Sequence, residues 1–340
     1  MDTPTNTNIR RQTASRIKEG LAGLCFLAAL GLFIAFFSSA LLPKREEHGS
    51  NWGAFLLEEK NSLDVIFFGS SLVYCDVIPA VIYDESGYSS YIMAGPEQTL
   101  PMTYYYIKET YRTQSPQAIF VEVSGAFYPE FTNYTKVNIG YMPCSLNRLA
   151  ATFRTAEREE RTGLLFPLYN YHELWNRMEE NNTRYTADPL AGYSPLTDIE
   201  DITALTVRAV DFKKDTFENN IEYLRKIALL AEKKGSQLIF FIAPSYFPWE
   251  SAYLALLEEE LALIPHAAFI DFNANFDELG IDDQMDFFDV LHFNISGAQK
   301  FSLHLAAFIQ ELPLGKKKTD NPLLWQERVV YFRKIKGASK

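Results

Sequence analysis

The chain has 340 residues, 47% of them hydrophobic, a formal net charge of −11 and three cysteines. It is too apolar for a disordered protein and too poor in cysteine for a disulfide scaffold, and its acidity argues against a nucleic-acid partner, which needs a basic face for the phosphates. A mean hydropathy of −0.12 suits a soluble protein better than a multi-span membrane protein, yet that average hides an uneven placement of charge and apolar residues.

No charged residue occurs between Glu19 and Lys44. At ~1.5 Å of rise per residue, a helix over residues 20–43 crosses a hydrocarbon core of ~30 Å, which predicts a transmembrane signal-anchor there. Two alternatives stand beside it. A buried core helix of this length usually carries some polar residues. A cleaved signal peptide finds a small-residue site in Ser38-Ser39-Ala40, but the apolar run exceeds the usual ~7–15 residues. Arg10, Arg11, Arg16 and Lys18 precede the span, whereas Lys44 and Arg45 after it are diluted by Glu46 and Glu47. The positive-inside rule therefore keeps a cytoplasmic stub (1–19) inside and exports the rest, giving a single-pass protein of the cytoplasmic membrane with an extracytoplasmic domain.

Charge divides the chain further. Residues 1–20 carry a net +2 and residues 316–340 a net +6, which leaves −19 on the exported domain, 44–315. The basic C-terminal tail, 316–340, also holds Leu323, Leu324, Trp325, Val329, Val330, Tyr331 and Phe332. It reads either as a solvated, frayed terminus or as a tail lying on anionic lipid or an anionic wall polymer. Cys25 lies in the span; Cys75 and Cys144 are free to pair but nothing requires it, and paired-cysteine metal spacing is absent. Glycosylation sequons start at Asn133, Asn181 and Asn294, and a glycan on the last would crowd His292. That favours a bacterial envelope protein over a glycoprotein.

The exported part alternates strands and helices. Residues 64–68 form a short apolar run entering Gly69-Ser70-Ser71, a buried strand followed by a turn. A second strand is predicted over 89–93, before Ala94-Gly95-Pro96, then a helix over 97–113 and a third strand over 118–123. From Gly125 to Asp215 the rhythm breaks into an aromatic and polar stretch, an insertion (126–215) that is either plain structural elaboration or a lid or substrate platform at the sheet's rim. An amphipathic helix over 216–234 is closed by Gly235, with Phe217, Ile221, Leu224, Ile227 and Leu230 on one face. A strand over 238–243, a helix over 250–264 and a short strand over 268–271 follow. Strands spaced by helices predict an α/β fold, a parallel sheet covered on both faces.

The candidate chemistry lies at the two ends of that fold. Ser71 follows the first buried strand, at the carboxyl edge of the sheet where open α/β folds place reactive groups. Taken singly, Gly-Ser-Ser also makes an ordinary turn or helix N-cap. A serine hydroxyl needs a base, and of His48, His172, His266, His292 and His304 only His292 has an aspartate three residues earlier, in Asp289-Val290-Leu291-His292. That spacing lets the carboxylate reach ring Nδ1 and fix the tautomer in which Nε2 accepts the serine proton.

Phe68-Gly69-Ser70-Ser71-Leu72 and Asp289-Val290-Leu291-His292 resemble the first and last blocks of the SGNH/GDSL hydrolase superfamily, and the single-span layout resembles its membrane-anchored, DltD-like branch. Tyr171-His172-Glu173-Leu174-Trp175 is similar to that branch as well. The resemblance covers most of residues 60–310. It implies a three-layer α/β sandwich of SGNH or flavodoxin-like type, with Ser71 as nucleophile, His292 as base and Asp289 as its orienter. Gly95 matches the glycine whose amide joins that of Ser71 in an oxyanion hole. Two positions depart from the pattern: Ser70 replaces the aspartate of Gly-Asp-Ser, and Val121-Glu122-Val123-Ser124-Gly125 stands where Gly-x-Asn-Asp is expected. An ionised Glu122 cannot donate to an oxyanion; Ser124 is the substitute donor in reach of the sequence. Loss of one such donor costs roughly 10²–10³ in rate.

The reading that follows is an extracytoplasmic serine acyltransferase that passes an acyl group through Ser71 to a hydroxyl of an envelope polysaccharide or teichoic-acid-type acceptor. By family analogy it sits beside a multi-span membrane acyltransferase. No cofactor or metal is implied, because histidine does the acid–base work and amides hold the oxyanion. The alternatives are a carbohydrate O-acetylesterase and a non-catalytic envelope-polymer binding or scaffold protein, which the missing asparagine favours and the intact serine, aspartate and histidine oppose.

Overall fold

The computed structural model describes residues 5–41, 52–130, 133–166, 169, 186–204, 212–246, 251–274, 276–319 and 321–338. The chain divides into two compact units, one of Met1–Pro43 with Thr162–Thr183 and one of Lys44–Arg161 with Arg184–Lys340. In the first, α1 (Thr5–Leu41) is a single helix of 37 residues. Its window Ser15–Ser38 has a mean hydropathy of 2.4, so this N-terminal helix is long and apolar enough to cross a membrane. The helix starts well before residue 20. No glycine or proline interrupts residues 5–19, so the helix runs on through Arg10, Arg11, Arg16 and Lys18.

The second unit is built on five parallel strands, β1 (Val65–Gly69), β2 (Ser90–Ala94), β3 (Ala118–Glu122), β4 (Gln237–Ile242) and β5 (Ala267–Asp271). Their spatial order is β2-β1-β3-β4-β5, with Phe67 paired to Ile92 on one side and Phe120 on the other. Every residue of β1, β2 and β3 is buried, which is why they read as unbroken apolar runs instead of alternating ones. Among the described residues the helices of this unit are α2 (Trp52–Phe55), α3 (Ser71–Tyr74), α4 (Pro79–Ser86), α5 (Leu100–Thr110), α6 (Thr135–Gly140), α7 (Leu146–Thr155), α9 (Lys214–Lys234), α10 (Ser251–Ala262), α11 (Ile295–Glu311) and α12 (Pro322–Ala338); α8 (Arg161–Leu165) falls almost wholly in the first unit.

Alternation along the strands feeds two cores. Val65, Phe67, Phe120 and Phe241 pack with Phe301 and Leu305 of α11 and Val329 and Phe332 of α12. On the opposite face Tyr91, in register with Ile66, meets Phe55, and Tyr106 of α5 meets Trp52, with ring centroids 5.3 Å and 4.9 Å apart. The predicted α/β sheet with helices on both faces is therefore present. Helix 97–113 is shorter than expected: Glu97 takes a left-handed φ of 44° and α5 begins only at Leu100, with Pro101 in its first turn. In the described part of the 126–215 insertion the elements are short helices and turns; Tyr171, His172 and Trp175 lie outside the described residues, as does His48.

Of the basic C-terminal segment, residues 316–319 and 321–338 dock on the rest of the second unit. The Lys318 amide donates to Asp64 at 2.8 Å, and α12 packs on α4, with Trp325 stacked on Tyr83 at 5.2 Å. Trp325, Val329 and Phe332 are buried in the globule and are unavailable to a lipid surface. Between them Arg328 is ion-paired with Glu58, both side chains nearly inaccessible to water.

Candidate active site

The order β2-β1-β3 reverses the chain's direction across the sheet between β1 and β3, and the crevice outside the carboxyl ends of such a pair is where open α/β sheets bind ligands. Ser71 is placed there by a tight passage. Gly69 closes β1 so near its neighbours that a Cβ would lie 2.5 Å from Val73 Cγ2 and 2.8 Å from Glu122 Cβ, which only glycine permits. Ser71 is then the first residue of α3, so its N–H has no intrahelical acceptor and is available to a ligand.

His292 arrives from the far end of the chain, on a loop fixed from both sides. Phe287 and Phe293 form an antiparallel bridge, and Asn294 caps α11 by accepting from the Ser296 and Gly297 amides at 2.9 Å and 3.3 Å. Within the loop, Asp289 Oδ1 accepts from the backbone N–H of Leu291 at 2.7 Å and of His292 at 2.9 Å. These bonds aim the carboxylate at the ring: Nδ1 lies 2.9 Å from Oδ2 and 3.0 Å from Oδ1. With Nδ1 carrying the proton, Nε2 is left to accept from Ser71 Oγ, 2.7 Å away and 221 residues distant in sequence. Burial pushes the Asp289 carboxyl up, but the hydrogen bond from His292, its charge and the two loop amides outweigh that and hold it below the ordinary aspartate value. It is thus an anion wherever His292 would need one.

No protein-family model and no curated protein matches the chain. Function is read from the geometry of the site.

The structure brings Ser71, Asp289 and His292 together as expected, and it treats the two remaining candidates differently. Gly95 lies beside the end of β1, its N–H 3.4 Å from Gly69 O. Asn138 of α6 packs so closely that a side chain at residue 95 would collide with its amide, and it holds the turn by donating to Pro96 O at 2.9 Å. Ser124 is not a free donor. Its N–H donates to Glu122 Oε1 at 2.8 Å and its hydroxyl to Oε2 at 2.7 Å. Glu122 is buried, and burial lifts its carboxyl to about 7 against the hydrogen bonds from Ser124 and the Ala243 amide.

Three groups escaped the sequence reading. Tyr128 turns its hydroxyl to within 3.3 Å of Ser70 Oγ. Asp76, fully buried just past α3, accepts the Phe293 N–H at 2.9 Å and so ties the Ser71 segment to the His292 loop; burial raises its carboxyl well above the ordinary value. Asn220 donates to the carbonyls of Gly125, Ala126 and Tyr128 at 3.2, 3.0 and 3.4 Å, fixing the chain that carries Tyr128. A buried aspartate directly after a tyrosine–cysteine pair has no sequence signature; its role exists only because α3 and the His292 loop meet. Asn294 is 3% exposed, with its amide donating to Met285 O at 2.7 Å, so that sequon carries no glycan in the fold. Cys75 is buried and Cys144 exposed, both free. Among the described residues no group of three or more His, Cys, Asp or Glu side chains converges on one point.

Proposed function

We propose that Ser71 is the nucleophile of a membrane-anchored, extracytoplasmic acyltransferase of SGNH type acting on a hydroxyl of an envelope glycan or teichoic-acid-type polymer. The observation that carries this reading is the unbroken hydrogen-bonded series Ser71–His292–Asp289 at the carboxyl end of β1. The parallel 2-1-3-4-5 sheet, the apolar α1 and the resemblance of the Ser71 and His292 segments to the first and last SGNH blocks support it.

Ser71 Oγ attacks the carbonyl carbon of an activated ester or thioester as its proton passes to His292 Nε2. The tetrahedral intermediate collapses with breakage of the bond to the leaving oxygen or sulfur, which takes the proton from Nε2. An ester on Ser71 remains. An acceptor hydroxyl then gives its proton to Nε2 while its oxygen attacks that ester, and Ser71 Oγ departs and recovers the proton. Asp289 stabilises the imidazolium in both halves.

A second reading, O-acetylester hydrolysis, has one feature in its favour. The Asp289 side chain is 42% exposed, so water reaches the edge of the site unless a bound acceptor covers it. Reaction of the full-length protein in detergent with a fluorophosphonate probe tests the nucleophile. Wild type is expected to be labelled at Ser71 and Ser71→Ala not at all; equal labelling of the two, or none of either, removes the enzyme reading in favour of a binding or scaffold protein. Recovery of free acid from an acetyl-glycan, with or without an added glycan acceptor, then separates hydrolysis from transfer.

A further inference from the structure

We propose that the hydroxyl of Tyr128 is an oxyanion donor of this site, supplying the side-chain hydrogen bond that the end of β3 does not. The inference rests on Ser71 being the nucleophile. Addition to an acyl carbonyl places a full negative charge on its oxygen, and that charge needs donors about 2.7–3.1 Å away that are already in place. The Ser71 N–H is one such donor. The Gly95 N–H, only loosely engaged at 3.4 Å, is a second. The third is absent from the expected position, because Glu122 can only accept when ionised and Ser124 spends both of its donors on Glu122.

Tyr128 answers that vacancy from four residues further on. Its hydroxyl lies 3.3 Å from the oxygen of Ser70, the residue before the nucleophile. Ser124, after β3, and Glu97, in the turn after β2, are near enough to act on it electrostatically. The phenol therefore stands beside the end of β1, against the residue that precedes Ser71, on the side from which an oxyanion formed at Ser71 can be reached. Asn220 clamps the backbone of the segment that carries it, so the donor is preorganised. Burial, with the nearby Glu122 charge, pushes the phenol up to about 12, and it keeps its proton at neutral pH. As the intermediate forms, the phenolic O–H turns from Ser70 Oγ to the oxyanion, and it turns back on collapse. No proton is transferred and no bond to Tyr128 forms or breaks.

The test uses Tyr128→Phe, which removes one oxygen and leaves the ring, in the full-length protein with p-nitrophenyl acetate and a fluorophosphonate. The variant is expected to keep its unfolding temperature and its KM within about twofold, while kcat and the rate of Ser71 labelling fall by about 10²-fold or more. Fluorotyrosine at position 128, a stronger donor of the same shape, is expected to retain or exceed the wild-type rate. Wild-type kcat and labelling rate in Tyr128→Phe overturn the proposal and leave Ser71 as nucleophile untouched. A fall in unfolding temperature with KM and kcat lost together assigns Tyr128 to packing, which also overturns it. Absence of labelling in wild type strikes at the nucleophile itself and takes this proposal with it.

Discussion

Replacement of Asp289 by asparagine probes the series Ser71–His292–Asp289 without disturbing its frame. Oδ1 accepts from the Leu291 and His292 amides at 2.7 Å and 2.9 Å. An asparagine keeps both bonds through its own carbonyl oxygen, so the loop holds its shape. The amide nitrogen then occupies the place of Oδ2, 2.9 Å from Nδ1. A donor there forces Nδ1 to accept, moves the ring proton to Nε2 and leaves Ser71 facing an N–H that cannot take its proton. The same inversion of tautomer in a serine protease triad costs about 10⁴ in kcat, equivalent to about 5 kcal/mol of transition-state stabilisation. Asp289→Asn is therefore expected to lower p-nitrophenyl acetate turnover and fluorophosphonate labelling by about 10⁴-fold, with near-UV circular dichroism unchanged. Activity within tenfold of wild type would show that Asp289 merely shapes the loop, and the general-base role of His292 would lose its support.

Two further outcomes concern stability. Arg328→Met leaves Glu58 buried without its partner and is expected to cost about 3–5 kcal/mol, a fall of roughly 10 °C in unfolding temperature for a domain of this size. The double variant Glu58→Gln/Arg328→Met should recover much of the loss, and a shift under about 2 °C for the single variant would contradict the docking of α12. Glu122 ties stability to pH. Because its folded value of about 7 exceeds the unfolded one near 4.5, the folded state holds the extra proton. Its contribution is whole below the unfolded value and is lost as pH rises to 7, by about 3 kcal/mol. Denaturant titrations of wild type and Glu122→Gln across that window should diverge by this amount; parallel curves would place the buried charge elsewhere.

Much of the fold was legible because burial writes it plainly. A strand covered on both faces must be apolar throughout, and β1, β3 and β4 stand out as such runs between helical periods. Ser71 and His292 were found as a pair because each follows a strand and His292 has an aspartate at a spacing one turn can close. The C-terminal helix was misjudged for an electrostatic reason. Trp325, Val329 and Phe332 have the spacing of a docking face, but the run of lysines and arginines around them dominates the charge count, and nothing local tells that Arg328 finds Glu58. Ser124 was misassigned because a hydroxyl's availability depends on its neighbours: the adjacent carboxylate consumes both of its donors. Tyr128 and Asp76 depend wholly on which loops meet, and that information is carried by the sheet order, which no single segment contains.

The separation of Ser71 from His292 by 221 residues has a consequence for biosynthesis. At roughly 10 residues per second, about 20 s pass between synthesis of Ser71 and of His292. During that interval Ser71 is an ordinary alcohol with no group to take its proton. Helix α12, made later still, settles on α4, which directly follows the Ser71 turn, so the early part of the domain completes its packing only when residues 322–338 have arrived. A chain released before residues 322–338 would thus be loosely packed, and under the proposed function it would be inert toward acyl donors until His292 had joined Ser71.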